Sequence, residues 1–128
     1  MRRAPLSLLL LLLALPACSL FGPSGPRYVV FFPERSAQLD APARAVIAQV
    51  ARRANAEPAA PVEVRGHTDS AGSPRADVLL SRERVQSVAD ALVADGVAAS
   101  RLVRKGQGQT GANPGVASRR VEITVGGR

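Results

Sequence analysis

Hydrophobic positions recur along the first half of the chain with two different spacings, which predict a strand followed by a helix. Residues 28–32 are dense in β-branched and aromatic side chains and stop at Pro33, as expected for a buried strand. Asp40 suits an N-cap, with Pro42 in the first helical turn. The helix is predicted to span about fifteen residues and to end near Glu57, because apolar side chains recur at Ala43, Val46, Ile47, Val50 and Ala54.

The second half of the chain repeats this order and adds two further strands. Residues 62–65 alternate between apolar and polar side chains, as a strand with one buried face does. Ser73-Pro74 suits the start of a second helix, and Gly96 suits the position just after its end. A short run at 101–104 and an alternating run at 121–125 predict two more strands. The order β-α-β-α-β-β indicates an α/β (α+β) sandwich, in which two helices cover one face of a four-stranded mixed sheet.

The start of the chain does not belong to this pattern. A basic MRR precedes an apolar run of about ten residues from Leu6 to Leu15, which is typical of an export signal and too short to span a bilayer. The run ends in Leu-Pro-Ala-Cys, which resembles the bacterial lipobox, in which the cysteine is lipidated and becomes the first mature residue. Cys18 is the only cysteine, so no internal disulfide can form. The alternative, a secreted protein with a free thiol, stays open.

These features predict three segments: a lipoprotein signal peptide at residues 1–17, a lipidated and flexible linker at 18–27, and one folded domain at 28–128. The linker is rich in Gly, Pro and Ser and would hold the domain about 16 Å from its anchor on average. Because Ser19 rather than Asp follows the cysteine, the lipobox resemblance implies transfer to the outer membrane. The expected location is therefore a lipid anchor in the outer membrane, with the domain facing the periplasm.

The charge of the chain narrows the class of partner. The formal net charge is +7, and loss of Arg2 and Arg3 with the signal leaves 15 of the 17 basic residues against 10 acidic ones. The basic residues are scattered, and the aromatic residues, one Tyr and three Phe, all precede residue 33. Nucleic-acid binding through interleaved cations and stacking platforms is therefore not expected. The positive charge instead favours an anionic polymer.

The stretch Gly-His-Thr-Asp-Ser-Ala-Gly at residues 66–72 is predicted as a turn and contains the only histidine. Catalysis would need a nucleophile, a base and an orienting acid, but His67 and Asp69 lie two apart in one turn and no Gly-x-Ser-x-Gly motif occurs. A metal site would need several ligands at suitable spacing. We therefore expect no enzymatic activity, no metal and no cofactor, and we expect His67 to pack or to stabilise the turn.

Residues 106–111 fit Gly-x-Gly-x-x-Gly, a motif that binds dinucleotides when it joins a strand to a helix. Here Asn113-Pro114-Gly115 and then a strand follow, so the match is accidental. The glycines are predicted to form the loop between the third and fourth strands.

A more informative pair is Asp69, just before the second helix, and Arg84, about three turns into it. A carboxylate and a guanidinium that flank one groove suit a zwitterion, because Asp accepts from the ammonium and Arg grips the carboxylate through two parallel hydrogen bonds. The alternative is structural: Asp69 would form an Asx turn or cap the helix, and Arg84 would pair on the surface with Glu83 or Asp77. The residues themselves leave both readings open.

From about Tyr28 to Val125 the chain resembles the OmpA-like peptidoglycan-binding family, which includes the peptidoglycan-associated lipoproteins. The resemblance rests on motifs that are specific only together and follow the family's order: the stretch at 66–72, Leu80-Ser81 with Arg84, Gly96-Val97 with Arg101-Leu102, Gly106-Gln107-Gly108, and Arg119-Arg120-Val121-Glu122-Ile123. It implies a β/α sandwich in which Asp69 and Arg84 hold the diaminopimelate of the peptidoglycan stem peptide.

The resemblance also supplies further candidates for the pocket, namely Ser70, Ala71, Gly72, Asp77, Leu80 and Phe32. The chain departs from the family at Asp77, where Asn is usual, and at Phe32-Pro33-Glu34-Arg35, where the first strand usually continues as Phe-Asp-Phe-Asp. Ser118 replaces the usual Asn before Arg119 and Arg120. These two arginines either touch the wall polymer or support the fourth strand.

The resulting hypothesis is a non-enzymatic outer-membrane lipoprotein that binds peptidoglycan non-covalently through diaminopimelate and so tethers the membrane to the wall. Other envelope proteins are further candidate partners. The alternative is an envelope protein-interaction lipoprotein that keeps the fold without wall binding and uses Phe31, Phe32 or the basic face of a helix.

Overall fold

We describe residues 25–69, 73–109 and 115–126 of a computed structural model of the chain. The predicted signal peptide, Cys18 and most of the linker lie outside these residues. None of the described helices is long and apolar enough to cross a membrane. The elements are β1 (Arg27–Phe31), α1 (Ala41–Ala56), β2 (Val62–Thr68), α2 (Pro74–Ala94), β3 (Leu102–Gln109) and β4 (Arg120–Val125). Two single 3-10 turns lie at Ala99–Arg101 and Val116–Ser118.

The four strands form one mixed sheet in the order β1-β4-β2-β3. Strand β4 runs antiparallel to both of its neighbours, whereas β2 and β3 are parallel and are joined by α2. Register pairs Arg27 with Thr124 and Val62 with Val125, so β1 and β2 begin at the same end of the sheet. The predicted mixed sheet and its β-α-β-α-β-β order are confirmed.

The helix boundaries follow the local capping chemistry. The Asp40 carboxylate accepts from the Ala43 N–H at 2.8 Å and caps α1, and the Ser73 hydroxyl accepts from the Ala76 N–H at 3.2 Å and caps α2. Gly96 follows the end of α2 with φ +99°, a left-handed conformation that favours glycine. These three predictions are confirmed.

One apolar core lies between the helices and a single face of the sheet. Alternate residues of β2 and β4 point into it, together with one stripe of each helix, as the periods of strand and helix require. Its fully buried members include Ile47, Val50, Val62, Val64, Val88, Leu92, Val121 and Ile123. The opposite face of the sheet carries the polar residues and is not covered by either helix.

Two glycine-containing segments predicted as turn or loop are strand instead. Gly66 to Thr68 continue β2 past the predicted end at residue 65, and Gly106 to Gly108 lie inside β3. Arg101, predicted as the first residue of the third strand, lies in the preceding 3-10 turn. The two strands continue through these segments because their backbones pair in the sheet, Gly66 with Gly106 and Val121, and Thr68 with Gln109.

Candidate functional site

Glycines on β2 and β3 let α2 lie directly on the ends of these strands. Gly66 and Gly106 are register partners. A Cβ added to Gly66 would meet the Ser81 carbonyl oxygen first and would lie 2.7 Å from Val85 Cγ2. One added to Gly106 would lie 2.5 Å from Arg82 Cγ and 3.0 Å from Ser81 Oγ, so neither position accepts a side chain without movement. Ser81 Oγ also accepts from the Gly108 N–H at 3.1 Å. This contact brings the first half of α2 to the strand end where Asp69 lies.

Arg84 is fully buried beneath the loop that follows β1, with 0% of its surface exposed. Its Nε donates to the Ser36 carbonyl at 2.8 Å and its Nη2 to the Pro33 carbonyl at 3.0 Å. Its Nη1 makes a longer contact of 3.4 Å to the His67 carbonyl. The alternative in which Arg84 pairs on the surface with Glu83 or Asp77 is therefore wrong. Three of the five guanidinium N–H donors are used by the backbone, which leaves two.

Phe32 lies against this guanidinium. The Arg84 Cζ is 5.3 Å from the centre of the Phe32 ring, within the range of a cation–π contact, and the ring is only 3% exposed. The Phe32 N–H donates to the Arg119 carbonyl at 2.9 Å, which holds the residue beyond the end of β1. Phe32 is therefore part of the wall behind Arg84 and is too deeply buried to contact a protein partner.

Asp69 follows β2 directly and is 8% exposed. Its Oδ2 accepts from Arg119 Nη1 at 3.1 Å, and Arg119 Nε donates to the Phe32 carbonyl at 3.3 Å. The cap of α2 is Ser73, so the alternative in which Asp69 caps that helix is wrong. Asp69 and Arg84 are thus placed at one end of the sheet, with Arg119 as the direct ionic partner of Asp69.

The remaining pocket candidates divide into three groups. Asp77 is 4% exposed, and its Oδ2 accepts from Gln109 Nε2 at 2.6 Å, which ties the first turn of α2 to the last residue of β3. Leu80 is half-buried on the same helix. Ser70, Ala71 and Gly72 lie outside the described residues.

The site is a compact cluster of two carboxylates and two guanidinium groups. Burial lowers the pKa of Arg84, and the nearby Arg119 acts in the same direction, whereas the carboxylates of Asp69 and Asp77 oppose this shift. An arginine guanidinium stays ionised in proteins, so the cluster contains both signs of charge at the ends of β2 and β3. Among the described residues, no group of three or more His, Cys, Asp or Glu side chains could hold a metal ion.

Sequence reasoning did not assign Gln109 to the site, and it left Arg119 with two alternative roles. Arg119 precedes β4 and follows the 3-10 turn, so no strand period could have given its direction. Arg119 reaches Asp69, whereas Arg120 Nε donates to Glu122 on the uncovered face of the sheet at 3.1 Å. Arg119 therefore lies in the site and Arg120 pairs within β4, while contact of either arginine with the wall polymer stays a prediction.

His67 lies in β2 and not in a turn, so the turn-stabilising role expected for it is wrong and the packing role is confirmed. Its side chain is 13% exposed, and its Nε2 lies 3.6 Å from Glu122 Oε2, too far for a full hydrogen bond. Burial lowers the pKa of His67, as does the charge of Arg120, while Glu122 opposes the shift. His67 reaches the site only through its backbone carbonyl, which accepts from Arg84.

Residues 31–122 match the OmpA family, and the fold and the ordered motifs agree with this match. The chain belongs to the OmpA family. It is 39% identical over 106 residues to the Escherichia coli protein named Probable lipoprotein YiaD, covering 75% of this chain and 47% of that protein. It is 39% identical over 90 residues to the Mycobacterium tuberculosis protein named peptidoglycan-binding protein ArfA, covering 62% and 27%.

Solved structures share the fold of this OmpA-family chain. The crystal structure of the peptidoglycan-associated lipoprotein from Burkholderia pseudomallei superimposes with a TM-score of 0.70 at 22% identity, covering 77% of this chain and 89% of that one. The chain spans less than half the length of the two sequence relatives described above.

Proposed function

We propose that this chain is an outer-membrane lipoprotein whose OmpA-family domain binds peptidoglycan non-covalently through the diaminopimelate of the stem peptide. In this role it tethers the outer membrane to the wall and performs no catalysis. The observation that carries the proposal is the cluster of Asp69, Arg119, Arg84 and Asp77 at one end of the sheet.

The chemistry of the cluster suits a zwitterionic centre. Asp69 is positioned to accept from an ammonium group, and the free N–H donors of Arg84 and Arg119 are suited to the carboxylate on the same carbon. Diaminopimelate carries such a centre at the end of its side chain. The name of the peptidoglycan-binding relative supports the same class of ligand.

A single site of this kind is expected to bind weakly. Hydrogen bonds to charged groups contribute roughly 1.5–3 kcal/mol each, and desolvation and ordering offset much of that. The ligand ammonium must also displace Arg119 from Asp69, because that pair is already formed in the free protein. Many anchored copies that face one continuous polymer would still hold it, since rebinding occurs at high effective concentration.

The start of β1 and the candidate site lie at opposite ends of the sheet, which supports a tethering role. Arg27, where the described domain begins, lies at the end of the sheet opposite to Asp69, because Arg27 pairs with Thr124 while Gly66 pairs with Val121. A seven-residue strand such as β2 is roughly 20 Å long. A lipid anchor at Cys18 would therefore leave the site on the far side of the domain from the membrane. Acyl chains there would contribute about 0.8 kcal/mol per buried CH₂.

The test is binding of the full chain to purified peptidoglycan sacculi and to a soluble diaminopimelate-containing muropeptide. Asp69→Asn keeps the shape of the side chain but removes its charge, and we expect it to weaken both interactions by about tenfold or more. Asp95→Asn is the matched control, because Asp95 is exposed at the opposite end of α2. If Asp69→Asn binds both ligands as the control does, the assignment of the site is wrong.

The alternative, an envelope protein-interaction lipoprotein, is favoured by one observation: Phe31 is 48% exposed on the uncovered face of the sheet. If this alternative is correct, wild type should capture an envelope protein and should not bind sacculi. Phe31→Ser should then abolish the capture of that protein. Binding of wild type to sacculi that Asp69→Asn removes would decide against this alternative as the main function.

A further inference from the structure

The sheet face that points away from the helices has a regular polar surface, which we call the open face. Strand register arranges its side chains in two complete rows that cross the sheet from β1 through β4 and β2 to β3, and in a shorter row near the site, where the register of β2 with β3 shifts after Gly66. The shorter row contains Phe31 and its partner Arg120, with His67 on β2; the middle row contains Val29, Glu122, Arg65 and Lys105; the far row contains Arg27, Thr124, Glu63 and Val103.

Cations outnumber carboxylates on the open face by four to two, if neutral His67 is not counted. Glu63 is bound by Arg65 at 2.5 Å and by Lys105 at 3.1 Å. Glu122 is shared in the same way by Arg120 at 3.1 Å and Arg27 at 3.8 Å. Each carboxylate is therefore used by two cations, and the face keeps a net positive charge.

Several of these cations remain available to a ligand. The side chains of Arg27, Lys105 and Arg65 are 66%, 42% and 40% exposed. Their ion pairs with Glu63 and Glu122 hold these three side chains in a band that crosses the sheet from β1 to β3. A fixed array of partly neutralised cations suits a partner that presents several negative charges in sequence.

The open face is continuous with the candidate site. The His67 side chain lies on the open face, while its carbonyl accepts from Arg84 inside the site. In the same way Arg120 lies on the open face and the preceding residue, Arg119, pairs with Asp69. A polymer held at Asp69 can therefore pass onto the open face without leaving the protein surface.

We propose that the open face is a second, electrostatic contact for the peptidoglycan, which binds carboxylates of stem peptides neighbouring the one held at Asp69. This inference rests on the proposed function. A stem peptide carries more carboxylates than ammonium groups. Each cross-link through the diaminopimelate amine consumes one ammonium group and releases the terminal residue of the donor stem with one carboxylate, so the excess of carboxylates remains. The charge of the polymer is therefore complementary to that of the open face, and the contact would add affinity through multivalency.

The arrangement of apolar residues disfavours other occupants. The large hydrophobic side chains that are more than two-fifths exposed on this face are Phe31 at 48% and Val103 at 43%, among the described residues. They lie on the two edge strands β1 and β3, which are roughly 14 Å apart across three strand spacings. They form neither the continuous apolar patch of a protein interface nor a single wedge for a membrane.

The experiment compares polymer with single stem peptide, using the full chain in detergent. Arg65→Gln/Lys105→Gln removes two neighbouring cations of the open face, and Arg44→Gln/Arg52→Gln removes two exposed cations of α1 on the other layer. We expect the open-face variant to bind sacculi about fivefold more weakly at low salt and with a reduced dependence on salt. Its affinity for the soluble muropeptide should equal that of wild type, and the α1 variant should match wild type in both assays.

The outcomes separate this inference from the proposed function. Unchanged sacculus binding by the open-face variant would overturn the inference alone, as would an equal loss in the α1 variant. Failure of wild type to bind the muropeptide would overturn the proposed function first. If the open-face variant instead loses binding to anionic phospholipid vesicles and keeps sacculus binding, the open face is a membrane contact and the inference is wrong.

Discussion

Replacing Arg84 by methionine removes the guanidinium that joins α2 to the loop after β1, while it keeps an unbranched side chain of similar reach. The change leaves the carbonyls of Ser36 and Pro33 without their donors at 2.8 and 3.0 Å, and it breaks the weaker contact of 3.4 Å to the His67 carbonyl. It also removes a positive charge from a cluster that contains Asp69. All of this occurs in a place that is 0% exposed, so water cannot easily replace the lost bonds.

The expected loss of stability follows from these contacts. Two short hydrogen bonds to a charged donor are worth roughly 3–6 kcal/mol together, and the cost of burying the guanidinium offsets part of this. We expect Arg84→Met to lower the free energy of unfolding by about 3 kcal/mol. For a domain of about 100 residues, this corresponds to a fall in Tm of roughly 12–24 °C.

The assay is equilibrium unfolding in urea, followed by far-UV circular dichroism. Arg82→Met is the matched control, because Arg82 lies two residues earlier on α2 and is exposed. If Arg84→Met unfolds within about 1 kcal/mol of this control, the three carbonyl contacts do not hold the loop. If the expected loss occurs, reduced ligand binding by an Arg84 variant cannot by itself identify a ligand contact, and Asp69→Asn is the better test of the site.

Two further predictions concern the neighbourhood of the site. Gly66→Ala places a methyl group against the backbone carbonyl oxygen of Ser81, with Val85 Cγ2 at 2.7 Å, so β2 and α2 must separate. Urea unfolding should show a loss of about 1–3 kcal/mol, and wild-type stability would contradict the close approach. Burial lowers the pKa of His67 below its usual 6.5, and Arg120 acts in the same direction. The contribution of neutral His67 to stability is therefore complete above the unfolded-state pKa of about 6.5 and is lost as the pH falls through the lower pKa of the folded protein. Wild type should lose stability as the pH falls below about 6.5, and His67→Gln should lose less; equal losses would show that His67 is not responsible.

The parts of the fold that depend on local chemistry could be predicted from the sequence. Asp40, Ser73 and Gly96 mark helix ends because each acts on backbone groups within one turn. Apolar periodicity predicted the strands and the buried stripe of each helix for the same reason. The sheet order β1-β4-β2-β3 could not be derived this way, because it depends on pairing between distant segments.

The sequence-based prediction was wrong at two glycines whose role depends on tertiary contacts. Gly66 and Gly106 resemble turn residues in the sequence, yet they are strand residues that accommodate α2. Their place as register partners is visible only once β2 and β3 are paired. The motif identified Arg84 as a candidate site residue. Its complete burial could not be predicted from the sequence, because the three carbonyls that accept from it belong to other segments.

In our proposal, ligand binding at the site exchanges ion-pair partners; the ligand does not enter an empty, preformed pocket. In the free protein Asp69 is occupied by Arg119 at 3.1 Å, and the guanidinium of Arg84 is largely used by the backbone. In our proposal, a ligand with only an ammonium group would free Arg119 and leave its buried charge without a partner. A ligand with an ammonium and a carboxylate on one carbon gives a new partner to both members of the Asp69–Arg119 pair. Its ammonium binds Asp69, and its carboxylate accepts from the released guanidinium of Arg119. The cluster therefore favours a zwitterion over a simple amine, through the charge that each would leave unpaired.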